Sequence, residues 1–190
     1  MDIIYLGGVP EAGKTLTAKN LVSRFGFIKY IDGGQRKLPF AQAKYEKGLA
    51  VLNQFESHVV NGLFLDEVIK ESSPGELILI DSHYTYPLKN RSFVNLIPEG
   101  FADKFGLYIL VEASSEIISK RRDNEGKRGS KIDWGFIGQE LFEERNEARR
   151  LSSESGIVLE VLDTDCDGAL AVDKLESIFR KNFPDYFNVA

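Results

Sequence analysis

Gly8-Val9-Pro10-Glu11-Ala12-Gly13-Lys14-Thr15 decides the reading of this chain. The stretch has the form G-x-x-x-x-G-K-T, a phosphate-binding loop pattern whose weight depends on its flanks. Before it, Asp2-Ile3-Ile4-Tyr5-Leu6 reads as a buried strand. After it, Ala18, Leu21, Val22 and Phe25 recur at three- and four-residue steps, the apolar stripe of a helix. Glycines let the backbone turn tightly and bring successive N–H groups onto one anion. The helix N-terminus adds its partial positive charge. In this arrangement Lys14 reaches the β and γ phosphates and the Thr15 hydroxyl binds Mg²⁺. The alternative is a chance glycine turn, and the strand and helix on either side speak against it. Glu11, an acid inside an anion-binding loop, is expected to point outward, because like charge there weakens phosphate binding.

Working outward, Phe27 to Ile31 reads as a second strand, ended by Asp32-Gly33-Gly34. From about 35 to 73 the spacing is helical. Leu49, Leu52, Phe55, Val59 and Val60 form one apolar face, and Leu63, Phe64, Val68 and Ile69 continue it after a break near Gly62. This predicts two or three helices. Leu77-Ile78-Leu79-Ile80-Asp81 is continuously apolar up to its final residue, as in a central parallel strand buried on both faces. Ligands of open α/β sheets bind beyond the carboxyl ends of the strands. Asp81 is therefore expected beside the loop, holding Mg²⁺ directly or through water. A turn or helix-capping aspartate is the alternative. Residues 83 to 98 read as a polar loop. Further strands are expected at 106–111, ending at Glu112, and at 156–162. Helices are expected from Ser114 or Ser115 to about Asp123, from Asp133 to about Glu154, and from Ala169 to Asn182. The apolar tail from Phe183 onward is expected to pack on the surface or on a partner.

Bulk properties narrow the class. The 190 residues suit one domain, 1–190, with a sizeable core. The composition, 43% apolar and 28% charged, is that of a soluble globular protein. One cysteine, Cys166, excludes an internal disulfide and points to a reducing cytoplasm. The opening strand argues against a signal peptide, and no apolar run approaches the roughly 20 residues of a membrane span. A net charge of −5 argues against general attraction to nucleic acid, so a phosphate ligand requires local positive charge.

Such charge is concentrated at 120–131. Lys120, Arg121, Arg122, Lys127, Arg128 and Lys131 face only Asp123 and Glu125, and Gly126 and Gly129 interrupt the segment. It reads either as a solvated loop or as a lid. In the helix that follows, Arg150 has Glu147 and Glu154 at helical spacing, whereas Arg145 and Arg149 have no carboxylate three or four residues away. These two arginines call for an anion from elsewhere, a ligand or a tertiary carboxylate. Asp163-Thr164-Asp165-Cys166-Asp167-Gly168 imitates a calcium loop, but the twelfth position is Lys174 and a strand precedes it. The segment reads instead as a strand-to-helix turn whose acids cap the last helix, with a base or ribose contact open to it. His58 reads as a packing or surface residue. His83 faces the expected site, as a substrate contact or a loop hydrogen bond.

The assembly resembles the nucleoside monophosphate kinase group of P-loop kinases, and more narrowly the archaeal-type adenylate kinases. The residues that carry this are Gly7 to Thr15, Leu79-Ile80-Asp81-Ser82-His83, Leu110-Val111-Glu112-Ala113, Ile117-Ile118-Ser119 to Arg122-Asp123, and Arg145. The resemblance implies a three-layer α/β fold with a five-stranded parallel sheet. It also implies a helical acceptor-binding insertion at about 33–75 and a short arginine-rich lid at about 120–133. ATP would lie on Gly8, Val9, Pro10, Glu11, Ala12, Gly13, Lys14, Thr15 and Leu16, with Mg²⁺ on Thr15 and Asp81. Arg121, Arg122 and Arg128 would close over the phosphates, and Arg145 would neutralise the transferred group. Lys14, Asp81, Arg122 and Arg145 are thus the expected catalytic set. The acceptor region follows the archaeal enzymes less closely; Arg36, His83, Arg91 and Arg149 are its candidates. The implied activity is transfer of the ATP γ-phosphoryl group to a nucleoside monophosphate, AMP first, by a monomer or small homo-oligomer that binds small nucleotides. A nucleotide-binding switch, an assembly factor of kinase ancestry and a kinase of another small acceptor are the alternatives. The lack of an Asn-Lys-x-Asp signature lowers the guanine-nucleotide version of the switch.

Overall fold

The computed structural model describes residues 2–124 and 134–188. In chain order its elements are β1 (Asp2–Gly7), α1 (Lys14–Arg24), β2 (Ile28–Asp32), α2 (Gly33–Tyr45), α3 (Gln54–Glu71), β3 (Leu77–Asp81), β4 (Thr85–Pro87), β5 (Phe93–Asn95), β6 (Leu107–Glu112), α4 (Ser115–Asn124), α5 (Trp134–Ser155), β7 (Leu159–Asp163), α6 (Gly168–Asn182) and α7 (Pro184–Phe187). The main sheet has the order β2-β3-β1-β6-β7, and every pairing in it is parallel. β1 is therefore central. Leu6 is in register with Asp81 of β3, which brings the carboxyl end of β3 beside the loop that follows β1.

The apolar strands alternate between two cores. Ile4, Leu6, Leu77, Leu79 and Ile109 pack with Ala18, Leu21, Leu175 and Phe179 of α1 and α6. Ile3, Tyr5, Ile78, Ile80 and Tyr108 pack with Phe64, Val68, Ala148 and Leu151 of α3 and α5. Burial on both faces explains why these strands are continuous apolar runs, and the result is a three-layer α/β architecture.

Three details depart from the sequence expectation. Residues 83–98 contain a short antiparallel hairpin, β4 with β5, rather than an unbroken loop. It is anchored by Tyr84, fully buried, whose hydroxyl donates to the carbonyls of Ile109 (3.1 Å) and Tyr5 (3.3 Å). α3 runs through Gly62 without a break. A capping box of Asn53 and Glu56 starts it, and a Cβ at Gly62 would meet nothing closer than the Phe101 ring at 3.9 Å. Its buried face also differs: Phe55 is 71% exposed, while the polar Ser57 and Asn61 turn inward beside Val60, Phe64 and Val68. The tail, expected on the surface or on a partner, packs on its own chain. Phe187 packs edge-on against Phe25 and Phe27, and the Tyr186 hydroxyl donates to Asp2 Oδ2 at 2.9 Å. The acids before α6 behave as expected, Asp167 accepting from the Ala169 N–H.

Candidate active site

The loop between β1 and α1 has its carbonyls bound one after another. Gly8 O accepts from Lys14 Nζ (2.6 Å) and His83 Nδ1 (2.6 Å), and Val9 O from Lys14 Nζ (2.9 Å). Pro10 O accepts from Arg122 (3.3 Å), Glu11 O from Arg121 (3.2 Å), and Ala12 O from the Thr164 hydroxyl (2.5 Å). The Ala12 N–H turns back to Val9 O (3.2 Å), and with the carbonyls occupied the remaining N–H groups of the loop are the donors that an anion nest would use. Space dictates the glycines. A Cβ on Gly8 would sit 2.4 Å from the Val111 carbonyl oxygen, and Gly8 has φ 151°. Glu11 adopts φ 67°, a left-handed conformation that costs a non-glycine residue roughly 1–2 kcal/mol. It is half-buried on the cleft wall rather than turned fully outward.

Asp81 is buried at the carboxyl end of β3. Its Oδ2 accepts from the Thr15 hydroxyl at 2.5 Å and from the Tyr30 hydroxyl at 2.9 Å. Burial and the Asp81 charge raise the Tyr30 pKa, which keeps the phenol a donor. Thr15 and Asp81 offer two hard oxygen donors side by side. Among the described residues no group of three or more His, Cys, Asp or Glu side chains could hold a metal. This donor set fits Mg²⁺, which takes one or two protein oxygens and completes its shell with water and substrate phosphates.

Lys14 is buried, and burial lowers its pKa although Asp81, Glu144 and Glu11 all favour its charge. His83 is held well below its usual pKa by burial and by the nearby Lys14 and Lys37 charges. It is therefore neutral, with Nδ1–H donating to Gly8 O. Behind it lies Glu144 of α5. One carboxylate oxygen accepts from the N–H groups of Tyr84 (2.7 Å) and Thr85 (3.3 Å). The other has no hydrogen-bond partner and stands 3.5 Å from His83 Nδ1. Burial pushes the Glu144 pKa up to about 8.

A cleft of about 1100 Å³ opens along this edge of the sheet. That exceeds the roughly 300–1,000 Å³ of ordinary ligand pockets and leaves room for two small ligands end to end. Lys14, Thr15 and Asp81 lie on its wall. One end is bounded by Arg121, Asn124, Thr164, Cys166 and Gly168, so the loop after β7 does border the cleft. The other end is bounded by Asp32, Lys37, Asn61, Tyr86 and Leu96. Pro10, Glu11 and Gly13 of the loop and Leu16 of α1 also border it, and His83 lies on its wall. The remaining sequence candidates are placed elsewhere. Arg122 contacts the loop but is bound to Glu140 at 2.7 Å. Arg145 pairs with Glu112 at 2.6 Å, so a tertiary carboxylate supplies the anion that its helix lacks. Arg36 pairs with Glu67 (3.2 Å) and Glu71 (2.5 Å) of α3. Arg91 lies over the Phe136 ring, and Arg149 is exposed on α5. None of Arg36, Arg91, Arg145 and Arg149 borders the cleft. Arg128 lies outside the described residues, as do Lys127 and Lys131.

No family model matches the chain, and no curated protein sequence matches it. Solved structures do. A gluconokinase from Sinorhizobium meliloti 1021 is similar over 100% of this chain and 98% of its own, with a TM-score of 0.61 and 13% identity. A shikimate kinase from Acinetobacter baumannii, solved with shikimate, is similar over 97% of this chain and 94% of its own, with a TM-score of 0.59 and 16% identity. A sugar kinase from Janibacter sp. HTCC2649, solved without ligand, gives a TM-score of 0.59 and 14% identity over 98% of both chains. The five-stranded parallel sheet with its glycine loop after the central strand is the fold of P-loop kinases.

Proposed function

We propose that this chain is an ATP-dependent phosphotransferase that moves the γ-phosphoryl group of Mg·ATP to a small acceptor. The observation that carries this reading is the placement of Lys14, Thr15 and Asp81 on one cleft that extends well beyond them in both directions. The triphosphate would lie over the loop, with its nucleoside toward Arg121 and the Thr164–Gly168 turn. The acceptor would lie toward Lys37, Asn61 and Tyr86. Thr15 and Asp81 would hold Mg²⁺, which supplies charge neutralisation of the phosphates. Lys14 would leave the Gly8 and Val9 carbonyls for the β and γ phosphates. Arg122 and Arg145 retain their proposed part in neutralising the transferred group, provided that they exchange Glu140 and Glu112 for phosphate on closure.

A nucleoside monophosphate, AMP first, is the acceptor favoured by the likeness of Leu79–His83 and Leu110–Ala113 to the archaeal-type adenylate kinases. A second reading has a specific observation behind it. Arg36, Arg91 and Arg149 do not converge on the cleft, so the described acceptor end lacks the arginine cluster that suits a phosphate dianion. A small hydroxylated acid or sugar needs less charge, and the similar solved structures are named for such acceptors. The test is ADP release from Mg·ATP with AMP, CMP, UMP, GMP, dTMP, gluconate, shikimate or no acceptor. Acceptor-dependent release supports transfer and chooses between the readings. Slow release indifferent to every acceptor favours a nucleotide switch or assembly role.

A further inference from the structure

Lys37 of α2 is 5% exposed and forms part of the cleft wall. Its ammonium donates to Ser82 Oγ at 3.0 Å and to Asn61 Oδ1 at 3.2 Å, and lies 5.8 Å from the centre of the Phe64 ring. Its hydrogen-bond partners among the described residues are neutral. An ammonium has three hydrogens, so two bonds leave one unspent. Burying a cation without an anion is costly, and the Lys37 pKa falls to about 8 through burial, although Asp32 and Asp81 favour its charge. Of the other basic groups of the cleft, Lys19 is exposed, its ammonium 5.7 Å from the centre of the Tyr30 ring. Lys14 is on the loop carbonyls, and Arg121 is on Glu11 O and Thr164 O.

We propose that Lys37 seats the acceptor, its ammonium binding an anionic oxygen of that molecule and holding it next to Asp81. This rests on the phosphotransferase reading. The shared chemistry is an oxyanion, carried either by the phosphate ester of a nucleoside monophosphate or by the carboxylate of a hydroxy acid. Lys37 feels the Asp81 charge, so a phosphate oxyanion seated on Lys37 and Ser82 is itself the group presented for transfer, whereas a carboxylate seated there anchors a hydroxy acid whose hydroxyl is the acceptor. Asn61 and Ser57, the polar residues that α3 turns inward, form the neutral side of the same seat.

The test is calorimetric titration of the protein saturated with ADP, using AMP, gluconate, shikimate and inorganic phosphate as probes, with wild type and Lys37→Met compared. Saturation with ADP blocks AMP from the donor end. At least one probe is expected to bind wild type and to bind Lys37→Met about 10- to 100-fold more weakly, the loss of one charge-assisted hydrogen bond. AMP and phosphate binding identify the phosphate ester, whereas gluconate or shikimate binding identifies the carboxylate. Lys37→Met is expected to melt no lower than wild type, because a buried charge is removed, and to bind ADP unchanged. Equal binding of the probes by both proteins, or binding of none by wild type, overturns the proposal. Failure of wild type to bind ADP would instead refute the nucleotide reading beneath it.

Discussion

Glu144→Gln isolates one buried carboxyl, and its effect can be worked out in advance. Glu144 is 2% exposed, accepts two backbone N–H bonds through one oxygen, and leaves the other oxygen without a partner. Its folded pKa is about 8 against an ordinary 4.5. Between these values the unfolded chain has released the proton and the folded chain has kept it. The folded state then binds more protons, so stability falls as pH rises across that window. His83 runs the other way below 6.5, because its folded pKa is depressed. Lys37, whose folded pKa is near 8, gains stability only above pH 8. Lys14 is also depressed and gains stability only above its own folded pKa. The interval from pH 6.5 to about 8 lies above the His83 range and below the Lys37 range, and comparison with Glu144→Gln reads the Glu144 contribution within it. At about 1.4 kcal/mol per unit it amounts to about 2 kcal/mol. Glutamine keeps a carbonyl oxygen for Tyr84 and Thr85 and carries no charge, so it imitates the protonated acid. Urea unfolding at pH 6.5, 7.2 and 8 should show wild type losing about 2 kcal/mol more than Glu144→Gln over the interval. That corresponds to ~4–8 °C in melting temperature for a chain of this size. Parallel pH profiles for the two proteins would refute the argument, since they would mean that Glu144 is ionised throughout.

Lys14→Ala should abolish acceptor-dependent ADP release while circular dichroism remains that of wild type; normal turnover by the folded variant would remove the central assignment. Gly8→Ala should destabilise the fold by ~3 kcal/mol or more, because its Cβ would meet a backbone oxygen at 2.4 Å that cannot move aside; a melting temperature within 2 °C of wild type, about the least shift expected of 1 kcal/mol at this size, would contradict it. Arg145→Ala should lower kcat at least tenfold with ATP affinity little changed, if the guanidinium leaves Glu112 for the transferring group. Equal losses in kcat and affinity would make it a binding residue.

The strands and the loop were legible because their signals are local. A continuous apolar run ending in Asp81 identifies a central strand and its carboxyl end, and the glycine spacing identifies the turn. The hairpin was not legible, because what orders it is long-range: Tyr84 reaching the carbonyls of Tyr5 and Ile109. The partners of the arginines were not legible for the same reason. Glu112, Glu67 and Glu71 meet Arg145 and Arg36 only in the tertiary structure. Lys37 was missed although its signal was available. Gly33, Gly34, Phe40 and Ala41 occupy its helical neighbour positions, so it too lacks a local carboxylate. Glu140, Glu144 and Glu147 were a further signal. Three acids at spacings of four and three repel one another on an exposed helix face. Here they are buried, one held by Arg122, one by backbone N–H groups and one by Arg150. Tyr30 lies mid-strand in β2, opposite Leu79, so the strand-end rule that selected Asp81 does not reach it; its hydroxyl meets Asp81 only through the tertiary structure.

The Gly8 carbonyl is shared by two donors, Lys14 and His83. If Lys14 moves to a phosphate as proposed, the imidazole keeps that oxygen alone. The shared bond becomes an unshared one, and the Nδ1 proton is drawn further toward the oxygen. That proton is held in a hydrogen bond to the Gly8 carbonyl at the foot of the loop, so its magnetic resonance is a natural gauge of nucleotide occupancy. It would move downfield as the lysine departs, with no label added and no product formed.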